Sequence, residues 1–369
     1  MPKKKRSVLV TGVGHAWGRK LVHKLEGDPR FDPIIGIDFK KPRDRFERME
    51  FFQVDLHNPQ LAELLQVARV DTVCHLLFLE TYSGNEEYFD QNVMGAMDLL
   101  AACVAAEIPR VILMSDTKVY GASYLNPTYL GEDTEIRGGH RHRYIQDRVE
   151  MERMLDRHIR QHARPRITIL RFANIIGNTV RTHVTRYLDS EVIPTVIGYD
   201  PLVQFTHEDD VVEALYHTVK KQDAVGVFNI AGDGVLPLSQ AMRIGGRIPL
   251  PVPATLLRLT STLLRPKNRK GLTNSIPMEA EYLMHSCLGD TTRMREVLEF
   301  RPRYTSRQAV DDFYQHVRLG KYLPPDRGIR SNPEASERLA RYIDRLRGEK
   351  DRKAEILRAL EEGEGNGRS

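Results

Sequence analysis

The sequence predicts an α/β protein built on a doubly wound parallel sheet, followed by a smaller lobe and a charged helical tail. Three observations carry this. An apolar run at 7–12 passes straight into a glycine-rich turn and a helix, strand-like and helix-like runs then alternate through the first half, and 369 residues exceed one core of typical size. Such alternation places helices on both faces of a parallel sheet.

The strand runs lie at 7–12, 34–38, 51–54, 71–78, 111–115 and 167–171, with helices near 17–26, 59–67, 85–107 and 143–162. In the first unit, Val8, Leu9 and Val10 form the strand, and Gly12, Gly14 and Gly18 punctuate the turn into a helix beginning near Trp17. Bare backbone amides and the positive end of a helix dipole there make a cradle for a pyrophosphate. The next run ends at Asp38, 20 residues past Gly18, where a carboxylate would accept hydrogen bonds from both hydroxyls of an adenosine ribose. That favours NAD over NADP, although Lys40, Lys41 and Arg43 lie close by and a 2′-phosphate needs cations. The bland reading of Asp38 is a solvated strand end.

Beyond Arg171 the pattern turns irregular, punctuated by prolines from Pro194 to Pro266. The predicted organisation is a Rossmann-like dinucleotide-binding domain over 1–175 with a return segment about 203–232, a substrate lobe over 176–202 and 233–325, and a charged helical tail over 326–369. Within the lobe, 254–264 reads as a short amphipathic helix, for which packing on the lobe is a better account than a membrane surface. In the tail, Leu339, Ile343, Leu346, Leu357 and Leu360 fall on a heptad-like stripe interrupted by Lys350 and Lys353, which reads as a solvated helix with a docking edge.

Composition narrows the class. Hydrophobic residues at 41% and charged residues at 28% describe a soluble globular protein. No apolar run approaches the roughly 20 residues of a membrane span, and no signal-peptide core follows the basic start, so the expected location is cytoplasmic, with at most peripheral membrane contact. Of the net charge of +5, four units come from Lys3, Lys4, Lys5 and Arg6, which leaves no general nucleic-acid surface. Cys74, Cys103 and Cys287 are too scattered for a disulfide framework or a zinc site. His140, His142 and His207 lack ligand-spaced companions, so no metal is expected.

Ordered matches along the chain resemble the extended short-chain dehydrogenase/reductase family, in its NAD-dependent epimerase/dehydratase branch. Thr11-Gly12 through Gly18 is similar to the family's cofactor turn, Val54-Asp55-Leu56 to the segment whose Asp contacts adenine, and Asp71 through Leu76 to the strand beneath the cofactor. Asn92-Val93-Met94-Gly95 is similar to the helix whose Asn braces the active-site strand. Val119-Tyr120-Gly121, Tyr144 through Arg148, Arg171 through Asn174, Gln204 through Val211, Phe228-Asn229 and Asp290 through Arg293 complete the series. The resemblance implies a cofactor site drawing on Gly12, Gly14, His15, Trp17, Gly18, Asp38 and Phe39. It adds Asp55, Leu56, Leu76, Leu77, Asn92, Ser115 and Phe172. It implies Tyr144 as catalytic base with Arg148 as its cation, and Asn174, Arg243 and Arg293 toward the substrate diphosphate.

The active-site pattern departs from the family at several points. A phenol of pKa about 10 needs help to act as a base near neutrality, and the family supplies a lysine four residues on, where this chain has Arg148. Arg keeps a permanent charge, but its planar fork would not reproduce an ammonium's contacts with ribose hydroxyls. The hydroxyl expected to hold the reacting oxygen is replaced by Asp116, which when ionised accepts and cannot donate. Thr117 and Ser115 flank it, but adjacent strand residues face opposite sides. Pairing of Asp116 with Arg148 would account for both changes. His15 stands where the middle glycine belongs, and Leu77 and Phe78 stand where two alanines are usual, bulk that would narrow the adenosine channel.

The leading expectation is an NAD-binding oxidoreductase or epimerase acting on a nucleotide sugar or other small hydroxylated substrate. Another class fits the departures: a dinucleotide-binding sensor or scaffold that has lost hydride chemistry. A steroid- or flavonoid-type reductase is a third, encouraged by the apolar segment His75 to Leu79. A homodimer is expected through the long helices, with Ala96, Leu99, Leu100 and Cys103 on one and Val149, Met154 and Leu155 on the other, although packing on the sheet must take at least part of this set.

Overall fold

Seven parallel strands form the central sheet, in the spatial order Gly226–Ile230, Arg166–Phe172, Arg110–Asp116, Thr72–His75, Arg6–Thr11, Phe31–Asp38 and Met49–Gln53. The computed structural model describes residues 5–79, 86–139, 143–161, 164–263 and 279–322. The basic start up to Lys4, His140 and His142, and the tail from 323 on lie outside the described residues. Along the chain come β1 (Arg6–Thr11), α1 (Ala16–Glu26), β2 (Phe31–Asp38), β3 (Met49–Gln53), α2 (Leu61–Val67) and β4 (Thr72–His75). Next are α3 (Glu86–Phe89), a π-helical turn over Asp90–Met94, α4 (Gly95–Ala105), β5 (Arg110–Asp116), a 3-10 turn over Thr117–Tyr120, α5 (Arg143–Gln161) and β6 (Arg166–Phe172). The second half contributes β7 (Asn174–Ile176), α6 (His183–Asp189), β8 (Val192–Val196), β9 (Leu202–Val203), β10 (Phe205–His207), α7 (Glu208–Lys220) and β11 (Gly226–Ile230). It closes with β12 (Leu236–Pro237), α8 (Leu238–Ile244), β13 (Ile248–Val252), α9 (Ala254–Leu263), α10 (Ala280–Met284), α11 (Thr292–Glu296) and α12 (Ser306–Tyr322).

The expected strands and helices are present, with one addition. β11 returns from the second half to pair with β6, Phe228 opposite Leu170, and supplies the seventh strand. Residues 76–78, expected inside a strand, leave β4 after His75 and line the cleft.

Side-chain alternation feeds two cores. Val8, Val10, Cys74 and Ile112 pack with Leu21 and Leu25 of α1 and Val211 and Leu215 of α7 on one face. Leu9, Val73, Val111 and Leu113 pack with Leu99 and Cys103 of α4 and Met151 and Leu155 of α5 on the other. Strands covered on both faces read as continuous apolar runs, which made them visible in the sequence. Ala96, Leu99, Leu100, Cys103, Val149 and Leu155, assigned above to a dimer contact, are all buried inside the chain's own cores. Met94 of the π-helical turn and Val104 of α4 keep apolar surface outward.

A third core gathers Tyr144, Val184, Tyr187, Leu188, Leu238, Leu257 and Phe313 from the second half and the start of α5. Leu257 on α9 is buried in it, so the amphipathic helix does pack inward, while Leu256 stays exposed. No helix among the described residues is long and apolar enough to cross a membrane.

Candidate functional site

Two glycines of the first turn are demanded by geometry. Gly12 adopts φ +74°, and a Cβ on it would lie 2.8 Å from the Leu77 amide nitrogen. A Cβ on Gly18 would collide with the Gly12 carbonyl, so helix and strand approach here as only glycine permits. Gly14 donates its amide to Asp38 Oδ2 at 2.9 Å, and Lys40 donates to Oδ1 at 3.0 Å. Asp38 is therefore fully buried, at 0% exposure, and fastens the turn to the end of β2. His15, at the N-cap, holds Nε2 4.0 Å from the same carboxylate and makes no capping bond.

The ends of α1 and α7 are treated differently. α7 opens with Glu208, Asp209 and Asp210, and the His207 side chain accepts the Asp209 amide. α1 has neither an acidic residue in its first turn nor a side-chain cap. Its positive end and unpaired first-turn amides are thus left for a ligand, beside Gly12 and Gly14. Absence of a Cβ at the turn and an unneutralised helix end are the features a pyrophosphate requires.

A cleft of about 500 Å³ opens there. His15, Ala16 and Trp17 form one wall, His75 through Leu79 another, and Met114, Met151 and Arg148 the third, with residues from Thr179 to Thr182 and Arg186 facing them. Of the expected cofactor residues, His15, Trp17, Leu76 and Leu77 line this cleft. Phe39 is half-buried, its ring 6.0 Å from that of His15. Asp55 is exposed and accepts the His57 amide at 3.2 Å, and Leu56 is buried beside Gly95. Phe172 does not line the cleft: it is fully buried in the core shared with α7.

Asn92 braces a different element from the one expected. In the π-helical turn, its Oδ1 accepts the Leu79 amide at 2.7 Å, and its Nδ2 donates to the Leu79 carbonyl at 3.0 Å and to Asp147 Oδ2 at 3.1 Å. It fixes the cleft segment after β4 to α5, not the strand β5. A π-turn re-aims one side chain out of helical phase, which suits this reach.

The end of β5 departs from the expected pairing. Asp116 caps the following turn by accepting the Lys118 amide at 2.8 Å, and Lys118 Nζ lies 3.3 Å from each of its carboxylate oxygens. Arg148 is turned elsewhere: its Nη1 donates to the Met114 carbonyl at 3.1 Å and its guanidinium lies 4.0 Å over the Phe78 ring. The anticipated Asp116–Arg148 pair is thus replaced by Asp116–Lys118. Phe78, expected to crowd the channel, lines the cleft and also forms the platform for Arg148.

Tyr144, one turn before Arg148, is 1% exposed, its ring stacked on His183 at 3.9 Å. Thr117 is buried, and its carbonyl lies 3.4 Å from Cys287 Sγ. Burial pushes the half-buried Cys287 thiol up to about 12, which keeps it protonated near neutrality. Ser115 donates to Glu152 Oε1 and faces away from Asp116.

The three residues expected toward a substrate do not converge on the cleft. Asn174 donates to the Gln204 carbonyl at 2.9 Å and joins β7 to β10. Arg243 borders a separate, open hollow with Gln240 and Arg307. Arg293 lies over Phe228, its Nη1 3.9 Å from Asp133. His207 serves structure, stacked on Tyr304 at 3.8 Å with Nε2 3.2 Å from Asp312.

Two participants were not anticipated. Lys118 is buried beside Asp116, and only the folding of the 3-10 turn brings residues two apart together. Glu208, also buried, receives Lys20 from α1 and both the amide and hydroxyl of Thr179 from the facing segment, so it ties the turn helix to the opposite wall. A Cβ on Gly177 would collide with it.

The family model described as "NAD dependent epimerase/dehydratase family" matches residues 8–231. Over 334 residues, 88% of each chain, the sequence is 35% identical to the uncharacterized protein Rv0501 of Mycobacterium tuberculosis. Its fold is similar to UDP-glucose 4-epimerase of Thermotoga maritima, solved with UDP-glucose (TM-score 0.64, 18% identity, covering 85% of this chain and 99% of that one). UDP-glucuronic acid 4-epimerase of Bacillus cereus, solved with UDP-glucuronic acid and NAD, gives the same TM-score of 0.64 at 20% identity, with coverage of 85% and 99%.

Proposed function

Because this chain belongs to the NAD-dependent epimerase/dehydratase family, we propose that it is an NAD-binding oxidoreductase or epimerase acting on a nucleotide sugar or another hydroxylated substrate. The observation that carries the reading is the cleft itself, at the carboxyl ends of β1 and β4, between the uncapped start of α1 and Arg148. Ligands of open parallel sheets bind at such edges. When bound, NAD supplies a carbon that takes and returns a hydride. The first amides of α1 hold the pyrophosphate, which the absence of a Cβ at Gly12 and Gly14 lets come close to the turn, and the buried negative charge of Asp38 opposes a 2′-phosphate, which favours NAD over NADP. Tyr144 holds the substrate hydroxyl proton, and Arg148 keeps a permanent positive charge one helical turn away. Two copies pair through the outward faces of α4 and α5, which sedimentation of the purified protein would test.

The test is direct. Calorimetric titration should show NAD binding, and a panel of UDP-, GDP- and dTDP-sugars should include one that is oxidised or interconverted. Tyr144→Phe should remove most turnover and keep NAD binding. A protein that binds NAD and turns over nothing would favour the second reading, a cofactor-binding sensor or scaffold. That reading draws support from Tyr144 lying sealed under His183 and from Asp116 occupying the place of a hydroxyl donor.

A further inference from the structure

His75 ends β4 and lines the cleft, yet the residue is only 5% exposed and its Nε2 has no hydrogen-bond partner among the described residues. Its other nitrogen is committed. Nδ1 lies 2.9 Å from Thr11 Oγ1, and that hydroxyl oxygen already accepts the amides of Leu76 at 3.1 Å and Leu77 at 3.2 Å. With both lone pairs taken, the Thr11 hydroxyl has only its proton left to offer, so it donates and Nδ1 accepts. A neutral imidazole whose Nδ1 accepts carries its proton on Nε2. Burial holds the ring in the neutral form, pushing it down to about 4. His75 is thus a buried donor of fixed direction that finds no acceptor among the described residues. Native interiors seldom leave such a group unpaired, and a ligand is one of the few things that pair it.

We propose that the Nε2–H of His75 is a ligand-binding donor, aimed at a sugar or phosphate oxygen of the dinucleotide; this rests on the cofactor reading given above. The chain Leu76/Leu77 amides to Thr11 to His75 makes the donor preorganised: the backbone that leaves β4 sets the hydroxyl, the hydroxyl sets the tautomer, and the tautomer sets the donor. An acceptor that reaches that place, once the side chains over the nearly closed Nε2 give way, meets a donor whose tautomer is already set. The same β1–β4 register that puts Thr11 opposite His75 puts Gly12 against Leu77, so donor and turn are built by one feature of the sheet.

Nitrogen-resolved NMR of histidine-labelled protein tests the proposal, with the His75 signal assigned through His75→Gln. The free protein should show His75 protonated on Nε2. NAD should move the attached proton downfield, ADP-ribose should reproduce the shift, and nicotinamide alone should leave it in place. By calorimetry, His75→Phe should bind NAD about three- to tenfold more weakly, the worth of one net hydrogen bond, whereas His75→Gln, whose amide can both accept and donate, should stay within about twofold. Protonation on Nδ1, an unmoved signal in a sample that binds NAD, or a shift caused by nicotinamide alone would each overturn the inference while leaving the cofactor reading intact. Wild-type protein that fails to bind NAD would overturn both. The wild-type spectra decide the matter even where His75→Phe fails to fold.

Discussion

Lys118 Nζ lies 3.3 Å from each carboxylate oxygen of Asp116, with the lysine side chain 6% and the aspartate 19% exposed. Two opposite charges have entered the end of β5 together, where the family pattern calls for a neutral hydroxyl. Removing one partner of a largely buried pair strands the other charge, which costs more than the pair contributes. Lys118→Met should therefore lower unfolding free energy by about 3 kcal/mol in urea denaturation, while Asp116→Ser combined with Lys118→Met should recover most of that loss. A loss in the double variant equal to the sum of the losses in Asp116→Ser and Lys118→Met would show that the two charges act independently.

A second buried pair joins α5 to the sheet. Arg171 Nη2 lies 2.6 Å from Glu152 Oε2, and its Nη1 donates to Tyr120 Oη at 2.8 Å, which in turn donates to Asn229 Oδ1 at 2.7 Å. Glu152 also holds Ser115, so β5, β6, β11 and α5 meet in one network. Paired charge keeps Arg171 above its ordinary range despite burial. Arg171→Met should destabilise by about 3–5 kcal/mol, and a double-mutant cycle with Glu152→Met should return a coupling of about 2 kcal/mol or more. Near-additive losses would place the stabilisation elsewhere.

Gly18→Ala forces a Cβ against the Gly12 carbonyl and within 3.0 Å of Val13 Cα, both backbone atoms that cannot swing aside. It should lower the melting temperature and weaken NAD binding by about tenfold or more, because the helix start must retreat from the turn that holds the pyrophosphate. Gly27, which follows α1 at φ −70° with nothing nearer than 3.6 Å to a Cβ, provides the control. Gly27→Ala should be neutral or stabilising by about 0.5 kcal/mol with NAD binding unchanged.

The turn, the strand runs and the two-sided sheet were legible because each rests on local pattern: buried parallel strands are short apolar runs, and Gly12 and Gly18 mark places where backbone meets backbone. The return of 203–232 to the first domain was legible, but not that β11 is a strand within it, because Gly-Val-Phe-Asn-Ile is short and its strand character is conferred by β6. Asp116 and Arg148 were matched on charge alone. Sequence spacing does not reveal that the 3-10 turn folds Lys118 back onto Asp116, or that Phe78 offers Arg148 a ring to lie on. Leu99 and Cys103 show the same limit from the other side: periodicity marks an apolar stripe but not whether the sheet or a second copy covers it. The orphaned Nε2 of His75 depends on three backbone and side-chain contacts and had no linear signature.

Burial of His75 also predicts a pH dependence with a definite sign. The ring titrates near 6.5 when exposed and is pushed down to about 4 in the folded protein, by burial alone. Between those values the unfolded chain binds a proton that the folded chain refuses, so stability rises with pH across this window. The contribution is fully present above about 6.5 and is lost as pH falls toward 4, amounting to about 3 kcal/mol at the limit. Glu132, Asp147 and Asp210, whose carboxyls burial raises, pull in the opposite direction and overlap the acid end of the window. They are shared by wild type and His75→Gln and cancel in the difference between the two. Urea denaturation of both proteins at intervals from pH 7 to pH 4.5 should show wild type losing stability more steeply, with the curves running parallel above pH 7. Parallel curves throughout would mean that His75 is not held neutral in the folded state.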